Sequence, residues 1–179
     1  MSKLNIIIAP DERLNQLSKE VKSIDNKILD VLDNMLECMY LNNGIGLAAP
    51  QVGILKRLVV IDCGTEEKKP LKFINPEIVN ISQDMAEYEE GCLSLPQQFA
   101  KVVRPEKVTI KYIGTNGKLN NKVFQGIEAT CIQHEIDHLN GKLFVDYLSD
   151  LKRDRIAKKI QKLSAQGKLP SRKDVPYSI

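Results

Sequence analysis

The chain is poor in the residues that metal sites and disulfide frameworks are built from. It has two histidines, four scattered cysteines (Cys38, Cys63, Cys92, Cys131) with no CxxC pair, and no glutamate after Glu135. Without close, regular cysteine spacing or an export signal, the thiols read as free rather than bridged. Long apolar runs are missing too. Even Leu4–Pro10, LNIIIAP, is far too short to span a bilayer. The same segment lacks the h-region and small-residue cleavage site of a signal peptide, so the expected compartment is the cytoplasm, with no membrane partner.

What is present is ordinary for a globular protein: 179 residues, 42% hydrophobic and 27% charged, enough for one domain with a sizeable core. The net charge of +3 is unevenly spread. From Asp150 onward nine Lys or Arg face three Asp, whereas the first 149 residues carry seventeen against twenty acids. Asp25 is placed to cap a helix with Ile28, Leu29, Leu32, Met35, Leu36 and Met39 on one side, stopping at Asn42-Asn43-Gly44. Strands are expected at 57–62, 71–75 and 77–82, with Asn75-Pro76 as a turn, and at 107–113 and 121–125 around Thr115-Asn116-Gly117-Lys118. A helix follows Gly126 and ends at Asn140-Gly141. A basic helix over about 149–165 carries Leu151, Ile156, Ile160 and Leu163 on one side, and a loosely ordered tail runs from 168 to 179. Helices at both ends with antiparallel strands between them, packed around a central helix, give an α+β fold in one domain, 1–179.

The two histidines sit together in Gln133–His138, QHEIDH. Residues four apart on a helix lie one above the other, so His134 and His138 can face one ion, with Glu135 beside them to take a proton from water. A chance HExxH on a charged helix is the plainer reading. The third ligand decides the chemistry. No third histidine exists for a metzincin, and no later glutamate for a thermolysin-like site. Asp146, Asp150 and Asp154 stay open. Cys131 lies roughly 10 Å along the helix axis from His138, awkward for a shared ion. Cys38 reads as core and Cys63 follows a strand. Cys92 sits in EEGCLSLP, Glu89–Pro96, where Gly91 permits unusual backbone angles and Pro96 ends the segment, and it is modestly favoured.

Three segments then stand in order: GIGLAAPQ (Gly44–Gln51), EGCLS (Glu90–Ser94) and QHEIDH. Together they resemble peptide deformylase, the enzyme family that removes the formyl group from nascent bacterial proteins. The resemblance implies Cys92, His134 and His138 as ligands of one divalent metal, Fe(II) natively with Zn, Ni or Co supporting activity. It implies Glu135 as general acid/base to a metal-bound hydroxide that attacks the formyl carbon, and Gln51 with the Leu93 N–H as oxyanion donors. Gly44, Gly46 and Gly91 would admit the substrate backbone, and Ile45, Leu95, Ile127 and Cys131 would wall the methionine pocket. Tyr88 and Thr130 depart from the aliphatic residues usual beside them. Glu90 is expected to steady the Cys92 loop, and Arg104 to touch substrate or Glu90, unless it is a plain surface arginine.

The implied partners are N-formylmethionyl nascent peptides and, through Lys152, Arg153, Arg155, Lys158, Lys159 and Lys162, ribosomal RNA; a solvated helix face explains most of that charge equally well. A monomer is expected. The competing readings are a small HExxH metallopeptidase with an aspartate ligand and a non-catalytic, metal-stabilised binding module.

Overall fold

The computed structural model describes residues 4–64 and 67–168. The first helix, α1 (Asn26–Leu41), starts where Asp25 accepts a hydrogen bond from the Ile28 amide at 3.0 Å. That bond satisfies one of the orphan donors of the first turn. Ile28, Leu32, Met35, Cys38 and Met39 form its buried side. The chain leaves the helix through Asn43, held at φ 56°.

Three strands follow, β1 (Gly46–Ala48), β2 (Leu58–Ile61) and β3 (Leu71–Ile81). Next come β4 (Met85–Cys92), β5 (Leu95–Pro105), β6 (Lys107–Ile113) and β7 (Leu119–Gln125). Two helices close the order, α2 (Ile127–Leu139) and α3 (Asp150–Ala165). Five strands make one antiparallel sheet in the order β1-β2-β3-β6-β7, and β4 pairs β5 in a second, two-stranded one. The fold is α+β, with antiparallel sheets and three helices.

Strand β2 shows how the sequence builds the layers. All four of its residues are buried. Leu58 and Val60 join the cluster around Leu32 and Met35 of α1, and Val59 and Ile61 join the cluster around Cys131, Ile132 and Ile136 of α2. Successive side chains point to opposite faces, and a strand covered on both reads as an unbroken apolar run. Helix α2 is covered on most sides itself, with ten of its 13 residues buried. It packs against β1, β2, β3 and β7 of the large sheet and against β5 of the small one.

Three expectations are corrected. Residues 71–75 and 77–82 are one strand, not two joined by a turn. Asn75 takes φ 51°, and its side chain bonds both the amide and the carbonyl of Val21. The register shifts there as a bulge, which tolerates the missing N–H of Pro76. Second, Pro96 does not end the segment after Cys92: β5 runs through it to Pro105. Third, the apolar stripe of α3 is shallow, since only Ile160 is buried and Leu151 is 71% exposed. The expected loose tail lies outside the described residues from 169 on. Among the described residues no helix is long and apolar enough to cross a membrane.

Phe73 anchors the core beneath α2, with its ring centroid 4.6 Å from Tyr112 and 5.8 Å from Phe124. Phe73→Ala should cost about 3–5 kcal/mol, read as a lower urea midpoint at unchanged slope.

Candidate active site

Helix geometry sets the first two members of the site. His134 and His138 are buried, one turn apart on α2, with ring centroids separated by 5.0 Å. Cys92 arrives from the end of β4, where the strand turns into β5. Its sulfur lies 3.3 Å from His138 Nε2. One ligand atom from each of the three residues falls within 4.8 Å of the others, the one such grouping of His, Cys, Asp or Glu among the described residues.

The set fits a metal by its chemistry. A thiol and two imidazoles suit a borderline divalent cation, and three protein ligands are the complement of a catalytic rather than a closed structural site. His134 Nε2 is buried without a hydrogen-bond partner among the described residues, while its Nδ1 is held 2.8 Å from Glu90 Oε2. An imidazole fixed through one nitrogen and free at the other is the usual posture of a metal ligand.

The other candidates are used elsewhere. The Asp146 carboxylate accepts from the Leu143 amide at 2.8 Å, Asp150 pairs with Arg153, and Asp154 is exposed. Cys131 packs against the Ile45–Gly46 backbone, donating to the Ile45 carbonyl at 3.6 Å. Cys63 borders that same cluster, and Cys38 belongs to the α1 core.

Glu135 is fully buried, and neither of its oxygens has a hydrogen-bond partner among the described residues. Burial pushes its carboxyl up to about 7; the neighbouring Glu90 charge adds to this, and His134 and Arg104 oppose it. It fits only because position 46 is glycine. A Cβ there would lie 2.4 Å from Glu135 Oε1 and 2.8 Å from Cys131 Sγ. Gln51 is oriented by its own loop: Oε1 accepts from the Ala48 amide at 2.8 Å, so Nε2 turns toward Cys92 Sγ and Ser94 Oγ, each at 3.5 Å.

Arg104 is no surface residue. It is 3% exposed and donates from Nε and Nη2 to Glu90, at 2.5 and 3.0 Å, and from Nη1 to Asp137 at 2.8 Å. Burial works against the Glu90 charge, but the bonds from His134 and Arg104 outweigh it and hold the carboxyl near 2.

The family model for polypeptide deformylase matches residues 3–154. The chain belongs to the peptide deformylase family. It is 52% identical over 162 residues to peptide deformylase 1 of Pseudomonas syringae pv. tomato, covering 90% of this chain and 96% of that one. The crystal structure of peptide deformylase from Ehrlichia chaffeensis is similar at a TM-score of 0.89 and 41% identity, covering 93% of this chain and 99% of that one. A structure of peptide deformylase from that organism in complex with actinonin is similar at 0.87 and 44%, covering 90% and 98%.

In this deformylase the expected pocket residues divide. Ile45 and Cys131 share one buried cluster, with Thr130 buried next to Cys131 in sequence, whereas Ile127 is 38% exposed at the start of the helix. Leu95 lies in a different cluster, with Cys92, Val102 and Phe144. Tyr88 stands near Gly126, whose Cβ would lie 3.5 Å from the Tyr88 hydroxyl. Gly91 is not at positive φ, contrary to the expectation of unusual backbone angles; a Cβ there would meet the Phe99 ring at 2.6 Å. A Cβ at Gly44 would likewise lie 2.8 Å from Leu93 Cδ1.

Sequence reasoning missed Asp137, Phe144 and Tyr147, which complete the surroundings of Arg104 and His134. A charged side chain inside a helical motif gives no sign that it faces inward. Arg104→Leu would strand Glu90 as an uncompensated buried charge. Loss of about 3–5 kcal/mol is expected, measured by urea unfolding at neutral pH.

Proposed function

We propose that this chain removes the formyl group from N-formylmethionyl nascent peptides, with one divalent ion held by Cys92, His134 and His138. The observation that carries the reading is the convergence of those three ligand atoms beside a buried Glu135 without hydrogen-bond partners among the described residues, in a chain of the deformylase family. We take α2 as the central helix around which the strands pack, and residues 1–179 as one catalytic domain acting as a cytoplasmic monomer. Fe(II) is the proposed native ion, with Zn, Ni and Co as substitutes, since two imidazoles and a thiolate suit each of them.

A divalent ion there would supply positive charge at the formyl oxygen and an acidified water. The protein does the rest. Glu135 would take a proton from water as the water oxygen bonds to the formyl carbon, and would return it to the amine nitrogen as the C–N bond breaks, so that formate leaves and a free N-terminus remains. Gln51 Nε2, aimed by the Ala48 amide, and the Leu93 N–H donate to the oxygen on which negative charge grows. The substrate backbone is proposed to run along Gly44, Ile45 and Gly46 and past Gly91, with Ile127, Cys131 and Leu95 near the methionine side chain. The inward contacts of Arg104 give it the task of holding Glu90, in place of touching the substrate.

Anaerobic assay of the Fe(II) form on formyl-Met peptides should release formate and leave every backbone bond intact; cleavage between residues would sink the proposal. Glu135→Ala should keep its metal and lose turnover by about 10²–10⁴-fold. Cys92→Ala should lose metal, read by elemental analysis after dialysis.

The exposed cations of α3, from Lys152 to Lys162, are proposed to dock on ribosomal RNA. Cosedimentation with ribosomes should weaken steeply as salt rises and disappear on truncation after Ser149. Unchanged binding by the truncated chain would remove α3 from this role.

A further inference from the structure

Arg104 is gripped from three sides, and only one of the gripping residues, Glu90, bonds a proposed ligand. Two of its nitrogens are taken by Glu90, which in turn holds His134 Nδ1 at 2.8 Å. A third, Nη1, donates to Asp137 Oδ2. The same Oδ2 accepts from the Tyr147 hydroxyl at 2.9 Å, and the Tyr147 ring faces the guanidinium with Arg104 Cζ 4.6 Å from its centroid.

These contacts form a closed circuit. It leaves α2 at His134, crosses to β4 at Glu90 and β5 at Arg104, and returns to α2 at Asp137, one turn beyond its start. The Glu90 and Arg104 side chains are 0% and 4% exposed and that of Asp137 is 15% exposed, so the circuit reaches water mainly through Tyr147, which is 46% exposed. The short 3-10 turn Phe144–Tyr147 touches both ends, because Phe144 stacks on the His134 ring with centroids 6.1 Å apart and planes at 23°.

Neither outer residue is explained by packing or by helix stability. Tyr147 is half-exposed and fills no core. Asp137 sits in the last turn of α2, where the negative end of the helix dipole disfavours a carboxylate. Its two side-chain bonds go to Arg104 and Tyr147. A guanidinium held on one edge can pivot about it; a second carboxylate on another nitrogen fixes its plane.

We propose that Asp137 and Tyr147 are positioning residues of the metal centre: together they fix Arg104, Arg104 fixes Glu90, and Glu90 sets the orientation of the His134 ring. The inference rests on the reading of His134 as a ligand and extends it to two residues that touch neither metal nor substrate. Partners of a ligand's second nitrogen govern metal retention, and their loss costs about 10–100-fold in affinity or activity. Here that influence reaches as far as a surface tyrosine.

The test uses the Co(II)-loaded protein and reads metal release to a chelator together with the cobalt absorption bands. Asp137→Asn should release cobalt about 10-fold faster, with shifted bands. Tyr147→Phe keeps the ring over Arg104 and removes one oxygen, and should show a smaller change in the same direction. It remains available if Asp137→Asn fails to fold. On a Glu90→Gln background, where the route to His134 is already cut, Asp137→Asn should alter release less than about twofold. Wild-type release rates and bands in both single variants, or an undiminished effect of Asp137→Asn on the Glu90→Gln background, would overturn the proposal. Failure of the unmodified protein to bind cobalt at all would instead bring down the ligand assignment, and this inference with it.

Discussion

Glu90 and Arg104 are withdrawn from water together, a state that neither charge could hold alone. Their bidentate contact ties β4 to β5 directly beside Cys92, and the outward bonds of the pair tie that hairpin to α2 at His134 and Asp137. The small sheet shares no strand with the large one, so this polar link matters more than its length suggests. It brings a sulfur on a hairpin and two imidazoles on a helix to one place. A buried ion pair is a weak source of net stability compared with apolar packing. Its value here is geometric: the pair reaches the helix at two points, His134 and Asp137.

The parts of the structure that follow a simple period were legible from the residues. The four-residue step from His134 to His138, the apolar face of α1 and its Asp25 cap are local patterns, and local patterns survive folding. The β4–β5 hairpin was not legible. Its run Glu87–Glu90 is acidic with a tyrosine inside it, and nothing in such a stretch says that Glu90 turns inward while Glu89 stays exposed. Buried charges are hard to read from local pattern because the compensating partner is distant in sequence: the Arg104–Glu90 contact was expected only through the family resemblance, and Asp137, which answers Arg104 from another element, was not expected. The same reasoning made Asn75-Pro76 look like a turn, although long-range bonds to Val21 hold it within a strand.

Cys92 is the instructive middle case. Elimination among the cysteines favoured it narrowly, and only its company in GIGLAAPQ and QHEIDH singled it out. The hairpin end lifts its sulfur toward His138, while Cys131, on the same helix as both histidines, is turned to the Ile45 carbonyl. Closeness along the chain proved a poor guide, because a helix that aims two residues at a point necessarily aims most others away from it.

Gly46 has a consequence beyond folding. Here the backbone itself forms the surface against Glu135, and a single added methyl group would overlap that carboxylate. Any side chain placed there would have to displace Glu135 or Cys131. An inhibitor that gripped this stretch of main chain would rest on atoms every residue type shares, whereas one relying on Tyr88 or the exposed Ile127 would rest on side chains that a single substitution replaces.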